Sequence, residues 1–298
     1  MTSRRTPLSL AFIGAGCAAN ALARAAARRG YIISGFCSNT IVNARAAAKF
    51  IKKIDSKQKT ASFGNIQDIA GAADVIIIAV PDRAISSVAE SLASFVTKNQ
   101  IVCHVSGAKG SDALAACGRR GAAVASFHPL QTFPDRASGE FKIPGTYVTI
   151  EGRGAAQGVL IQIARKLKML PIVIPAADRS LYHASAVLAS NAVVALFDHA
   201  VVVFTKATGQ PRDVAAKALW PLLAGTTDNL AKIGLPGALS GPVARGDSET
   251  IAGHLKTLAN DPRALAVYRM LNLHAVDLAL AKGSITNAGA AQLRSLLK

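Results

Sequence analysis

The first residues able to do chemistry are Gly14-Ala15-Gly16-Cys17-Ala18-Ala19, a G-x-G-x-x-A turn. A short apolar run, 8–13, leads into it, and an Ala-, Leu- and Arg-rich stretch, 20–29, leaves it and stops at Gly30. Strand, glycine turn and helix form the context in which this pattern cradles a pyrophosphate. Gly14 permits the tight turn, Gly16 has no Cβ to keep a phosphate from the backbone, and Ala19 is small enough for helix to pack on strand. The unpaired N–H groups and partial positive charge of the helix start complement the phosphates. The glycine pattern alone also fits an ordinary strand-to-helix turn. Its place near the N-terminus and the strand that follows favour dinucleotide binding.

The next informative position is the end of that second strand, 31–36, where Cys37-Ser38-Asn39-Thr40 follow. A site for NAD wants Asp or Glu here to hold the ribose 2′-hydroxyl. None is present, and the first acidic residue of the chain is Asp55. An acid would repel a 2′-phosphate, so its absence favours NADP(H). Ser38, Asn39 and Thr40 can donate hydrogen bonds to that phosphate, and Arg45 or Lys49 on the next helix can add charge. Each basic residue taken singly fits a solvated helix face equally well.

Three more segments fall at predicted strand ends: Val80-Pro81-Asp82, Ser106-Gly107 and His128-Pro129. Each also has a plain reading, as a helix start, a turn residue and a structural histidine. Their shared placement carries more than any one of them, because open α/β sheets bind ligands off the carboxyl ends of their strands. A last cluster, His183, Ser190 and Asn191, is spaced seven or eight residues apart, on one side of a helix. Such a polar row either faces a cleft or is satisfied in a helix–helix interface, and spacing alone leaves both open.

The elements that must position these residues alternate. Strands are expected over 8–13, 31–36, 60–63, 73–80, 101–105, 122–127, 147–151 and 171–174, with helices between most of them. The unbroken apolar run ADVIIIAV, 73–80, suits a strand covered on both faces. This alternation predicts an α/β fold, a Rossmann-type doubly wound, mostly parallel sheet. After residue 176 strand-like runs almost vanish. One long helix is expected over 178–206, then helices over 212–231, 248–258, 262–282 and 288–297. The expected organisation is a dinucleotide-binding domain over 1–176 and an all-helical substrate and dimerisation domain over 177–298.

Composition narrows the class. The 298 residues are 51% hydrophobic, ample for real cores. No apolar run reaches the roughly 18 residues of a membrane span; 187–203 comes closest, interrupted by Asn191, Asp198 and His199. The start MTSRRTPLSLAF has the basic and apolar parts of a crude export signal, but it runs into the glycine turn and reads as the first strand. Cys17, Cys37, Cys103 and Cys117 form no C-x-x-C pair, which fits a reducing cytoplasm and argues against a thiolate metal site. The net charge is +17, and residues 1–54 hold nine Lys or Arg and no acid. A basic surface draws in anionic cofactors and substrates; no signature of specific nucleic-acid binding accompanies it.

In order, Gly14–Ala19, Val80-Pro81-Asp82, Val105-Ser106-Gly107, Phe127-His128-Pro129, Tyr182-His183-Ala184, Asn191 and Leu239-Ser240-Gly241-Pro242 resemble a bacterial family that joins a Rossmann-like domain to the domain of unknown function DUF2520. The resemblance covers nearly the whole chain. More distantly the layout is similar to the 6-phosphogluconate dehydrogenase-like superfamily, including pyrroline-5-carboxylate reductase, F420-dependent NADP oxidoreductase and ketopantoate reductase. The last has a Lys with Asn residues four and eight positions later; here those positions hold His183, Val187 and Asn191.

The resemblance implies an NADP-dependent oxidoreductase moving a hydride between NADPH and a small carbonyl (2-oxo acid) or imine held between two domains. Ketopantoate reduction is one specific alternative, and a non-catalytic NADP-binding sensor or assembly protein is another. Under this reading the nicotinamide lies near Ser106 and His183 supplies the proton. A histidine's ordinary pKa of about 6.5 makes both forms available near neutrality. Asn191 hydrogen-bonds the developing oxyanion or the carboxamide, His128 is the reserve acid, and Ser240 with Arg245 meets a substrate carboxylate. A cytoplasmic homodimer without a metal is expected.

Overall fold

The first strand, β1 (Ser9–Ile13), runs into the glycine turn and α1 (Cys17–Arg28). In the computed structural model, which describes residues 8–298, the pattern continues as β2 (Ile32–Cys37), α2 (Ile41–Ile54), β3 (Ala61–Phe63), α3 (Ile66–Ala70), β4 (Val75–Ile78), α4 (Ile85–Ala93), β5 (Ile101–His104) and α5 (Ala115–Arg119). Then come β6 (Ala123–Pro129), β7 (Tyr147–Gly152), α6 (Gly154–Lys166) and β8 (Leu170–Val173). Arg4 and Arg5 of the signal-like start lie outside the described residues. The apolar run after them is β1, as expected.

The eight strands form one sheet in the order β3-β2-β1-β4-β5-β6-β7-β8. Neighbours are parallel except β6 and β7, which pair antiparallel with Pro129 opposite Val148. This is the expected Rossmann-type sheet, and its one antiparallel joint matters for the site. Because β7 starts where β6 ends, the connection 130–146 stays at the carboxyl rim of the sheet, where this fold class binds ligands.

Both faces of the sheet are covered. Phe12, Ile33, Phe36 and the Ala side chains of α1 and α2 form the core on one face, and Phe12 stacks on Phe36 at 5.4 Å. Ile76, Ile78, Ile85 and Leu92 form the other. Six of the seven Ala residues of α1 are buried. Small side chains bring the helix close to the strands, and close-packed apolar surface is the main stabilising term.

The helices that follow are α7 (Arg179–Ala189), α8 (Asn191–Thr208), α9 (Arg212–Ile233), α10 (Ser248–Leu258), α11 (Pro262–Lys282) and α12 (Asn287–Leu297). The single helix expected over 178–206 is two: Ser190, at φ −127° and ψ −76°, leaves helical geometry and begins α8. Asp247 caps α10 through Thr250 N–H, and Asp261 caps α11 with Pro262 in its first turn. Gly209 ends α8 in the left-handed region, which glycine adopts at low cost. Val243, Ile251, Val276, Leu293 and Leu297 form the core here.

Internal contacts divide the chain into compact units of residues 1–187 and 188–298. Arg179, Tyr182 and His183 therefore belong with the sheet, although the change in composition precedes them. Two helical stretches, Ala176–Thr208 and Pro262–Lys282, are long and apolar enough on average to cross a membrane, with 18-residue windows of mean hydropathy 1.9 and 1.2, although polar residues interrupt the apolar run in each.

Candidate functional site

The glycine turn is jammed against β4. Gly14 sits at φ +109°, and a Cβ there would lie 2.2 Å from the carbonyl oxygen of Ala79. Gly14 N–H donates to Cys37 O at 2.7 Å, tying the turn to β2 as well. Gly16 is the opposite case. Its φ of −75° and ψ of −173° suit any residue, and a Cβ there would meet nothing within 4 Å. The first turn of α1 has no side-chain cap and no acidic residue, so its leading N–H groups take no partner from a capping side chain. Asn20 Nδ2 donates to the carbonyls of Ala15 and Gly16, 3.0 Å each, and fixes the loop from below. This turn fits the phosphates of a dinucleotide: the glycine that must be bare for folding is separate from the one whose bareness leaves room for a ligand.

Above the turn is a cavity of ≈ 590 Å³, at the carboxyl ends of β1, β2 and β4. Gly14, Ala15, Gly16, Ser38, Asn39, Val80 and Pro81 line it, as the sequence reading expects. Cys17 and Ala18 enter α1 half-buried, and Ala19 is fully buried under the turn. Thr40 is exposed at the residue before α2 and makes no side-chain cap bond, and Asp82 opens the short turn 82–84. Arg45 is exposed and outside the cavity lining. The charged residue in the lining is Arg136, on the connection between β6 and β7.

A second cluster forms at the ends of β5 and β6. Ser106 is buried, and its Oγ accepts from the N–H groups of Ala108 and Lys109, 3.1 Å each. Its hydroxyl therefore shapes the turn that sets Gly107. The imidazoles of His128 and His183 both rest on the bare face of Gly107; a Cβ there would stand 2.9 Å from His128 Nε2 and 2.7 Å from His183 Cδ2. His128 Nδ1 lies 2.6 Å from Tyr182 Oη. Burial raises the Tyr182 pKa, so the phenol keeps its proton. Burial first, then the Arg179 guanidinium and His183, pull the His128 pKa down to about 4. His128 is thus a neutral imidazole at pH 7.

Arg179 holds the cluster together. It is 4% exposed, and it donates to Ser126 Oγ on β6 at 2.5 Å and to the carbonyl of Ser106. One guanidinium thus ties the start of α7 to the ends of two strands. Below, buried Glu151 accepts from Ser111 N–H and Oγ, and His104 bridges Ser106 N–H to Gly110 O. Neither Arg179 nor Tyr182 stood out in the sequence as a site residue; only Tyr182's place beside His183 pointed to it.

Asn191 is the first residue of α8, and Ser240 and Arg245 lie in the Gly/Pro-rich stretch before α10. All three are exposed and belong to the 188–298 unit. Burial raises the thiols of Cys103 and Cys117 to about 12 and 11, so both stay protonated.

Residues 2–129 match the Rossmann-like domain model and residues 146–275 the model for DUF2520. No curated protein matches. Among solved structures, a candidate NADP oxidoreductase from Bacteroides fragilis is 22% identical at a TM-score of 0.68, over 91% of this chain and 98% of that one. A reductive aminase from Aspergillus terreus, in complex with NADPH and ethyl-5-oxohexanoate, is 15% identical at 0.58, over 98% and 93%. A pyrroline-5-carboxylate reductase from Coxiella burnetii is 16% identical at 0.57, over 98% and 100%. At these identities the likeness is one of fold.

Proposed function

We propose, for a chain that joins a Rossmann-like domain to a DUF2520 domain, an NADP-dependent oxidoreductase acting on a small carbonyl, such as a 2-oxo acid, or an imine. The observation that carries this reading is the pair of glycines. Gly14 is bare because Ala79 leaves no room, while Gly16 is bare beneath an open cavity lined by no carboxylate. The similarity to a candidate NADP oxidoreductase and to an NADPH-bound reductive aminase supports the same class.

When bound, the nicotinamide supplies a hydride to an electrophilic carbon. The chain's own residues handle the charge that results. His128, oriented by Tyr182 at Nδ1 and with Nε2 against Gly107, is placed to hydrogen-bond the oxygen or nitrogen that becomes negative. His183, beside it on Gly107, gives that atom its proton. Gly14–Ala19 with Ser38, Asn39 and Thr40 hold the cofactor. Exposed apolar side chains on α8 and α9, among them Val194, Trp220 and Leu222, support a homodimer through these helices.

The test is a screen of NADPH oxidation over small 2-oxo acids and cyclic imines. Turnover of one such compound, lost in His183→Ala, is expected. Binding of NADP without oxidation of any candidate would instead favour the non-catalytic sensor reading.

A further inference from the structure

Arg136 is the one charged side chain among the residues lining the glycine-turn cavity, and no carboxylate lines it. Its Nη1 donates to Asn43 Oδ1 at 3.0 Å, on the first turn of α2. Ser38 and Asn39, which precede α2, line the same cavity. This is the end of β2, the place where a fold of this kind distinguishes a ribose 2′-hydroxyl from a 2′-phosphate. The guanidinium reaches it from far away in sequence, carried along the carboxyl rim by the connection from β6 to antiparallel β7.

That connection is anchored at several points. Gly139 packs against Ala21 of α1, so closely that a Cβ on Gly139 would come within 2.8 Å of the Ala21 Cβ. Arg24 of α1 donates to the carbonyls of Arg136 and Ala137, at 3.2 and 2.6 Å, and pairs with buried Glu140 at 2.5 Å. The neighbouring carboxylate, Asp135, is occupied by Ala137 N–H and by Ser138 N–H and Oγ. The side-chain partner of Arg136 is therefore a neutral amide, which leaves the positive charge for an anion. A guanidinium fork matches two phosphate oxygens and binds them with charge-assisted hydrogen bonds. Arg45 follows Asn43 by two positions on α2, and residues two apart do not share a helix face; it is exposed and outside the lining.

Resting on the dinucleotide reading above, we propose that Arg136, delivered by the β6–β7 connection, binds the 2′-phosphate of NADP(H) and sets the preference for it over NAD(H), with Asn43 as its positioning residue.

Calorimetric titration of the full chain tests this with NADP⁺, NAD⁺, 2′,5′-ADP and ADP. The wild type should bind NADP⁺ and 2′,5′-ADP more tightly than their counterparts. Arg136→Ala should lose roughly tenfold to hundredfold for those two, the loss typical of a charged hydrogen-bonding group, and stay within about twofold for NAD⁺ and ADP. Arg136→Lys should fall between, and Arg45→Ala should leave all four ligands unchanged. Thermal melting without ligand checks that each variant is folded. Equal loss for both dinucleotides in Arg136→Ala, or equal wild-type affinity for them, overturns the proposal while the dinucleotide site stands. A selective loss in Arg45→Ala with none in Arg136→Ala also overturns it. Failure of the wild type to bind either dinucleotide overturns the functional reading itself and this proposal with it.

Discussion

The phenol oxygen of Tyr182 stands 2.6 Å from Nδ1 of His128, a contact between α7 and β6. It holds the half-buried ring of His128 in one orientation at the end of β6. Tyr182→Phe removes that contact while keeping the ring. Turnover is expected to fall about tenfold to a hundredfold, within the range of a lost electrostatic contact, with NADPH affinity unchanged. Stability should change by only about 1 kcal/mol, as for one hydrogen bond. Steady-state kinetics beside calorimetry separates the two effects; a matching loss of cofactor affinity would move Tyr182 from the chemistry to the scaffold.

His183 shares Gly107 with His128, yet the roles assigned to them differ. His183→Ala should lower turnover by about 10²–10⁴-fold, the usual contribution of a positioned acid, and leave NADPH binding nearly intact. Unchanged turnover would remove His183 from the mechanism.

A buried imidazole, His104, and a half-buried one, His128, make the fold sensitive to acid. Burial lowers the pKa of His104, and burial with Arg179 brings His128 to about 4. In the unfolded chain histidine titrates near the ordinary value of about 6.5. Between those values the unfolded state binds protons that the folded state refuses, so stability falls as the pH drops from about 6.5 toward 4. His128 alone contributes at most about 3 kcal/mol to that loss. Urea unfolding at a series of pH values should show the decline, and His128→Asn should flatten it. A stability that rises on acidification through this window would contradict the assignment of neutral rings.

What was legible in the sequence was local. The glycine turn and its flanking strand and helix are consecutive, and the all-apolar β4 announces a doubly covered strand by composition alone. The Asp247 cap and the Gly209 stop likewise follow from single residue types. What was not legible depends on distant residues meeting. Arg136 reaches Asn43 across 93 positions because β7 runs antiparallel, and no periodicity in 130–146 signals that reversal. Arg45 is near the end of β2 in sequence, but which side of α2 meets the cavity is set by tertiary packing, and Arg45 lies exposed outside the lining. Ser190 interrupts an apolar pattern that continues on both sides, so the helix looked whole. Its residue type, favoured at helix starts, was the available signal. Arg179 was hidden for a different reason: a buried arginine is rare, and only the two strand ends that it joins explain it.

The most direct test of a dinucleotide over the glycine turn is NADP⁺ titration into Gly16→Val beside the wild type. Position 16 has an ordinary extended backbone and open space where a side chain would go, so the variant should melt at the wild-type temperature. Its side chain would fill the approach to the N–H groups of α1. Affinity for NADP⁺ should therefore fall about a hundredfold or more, as when two hydrogen bonds to a charged group are lost. A folded Gly16→Val protein that binds NADP⁺ as tightly as the wild type would contradict the account.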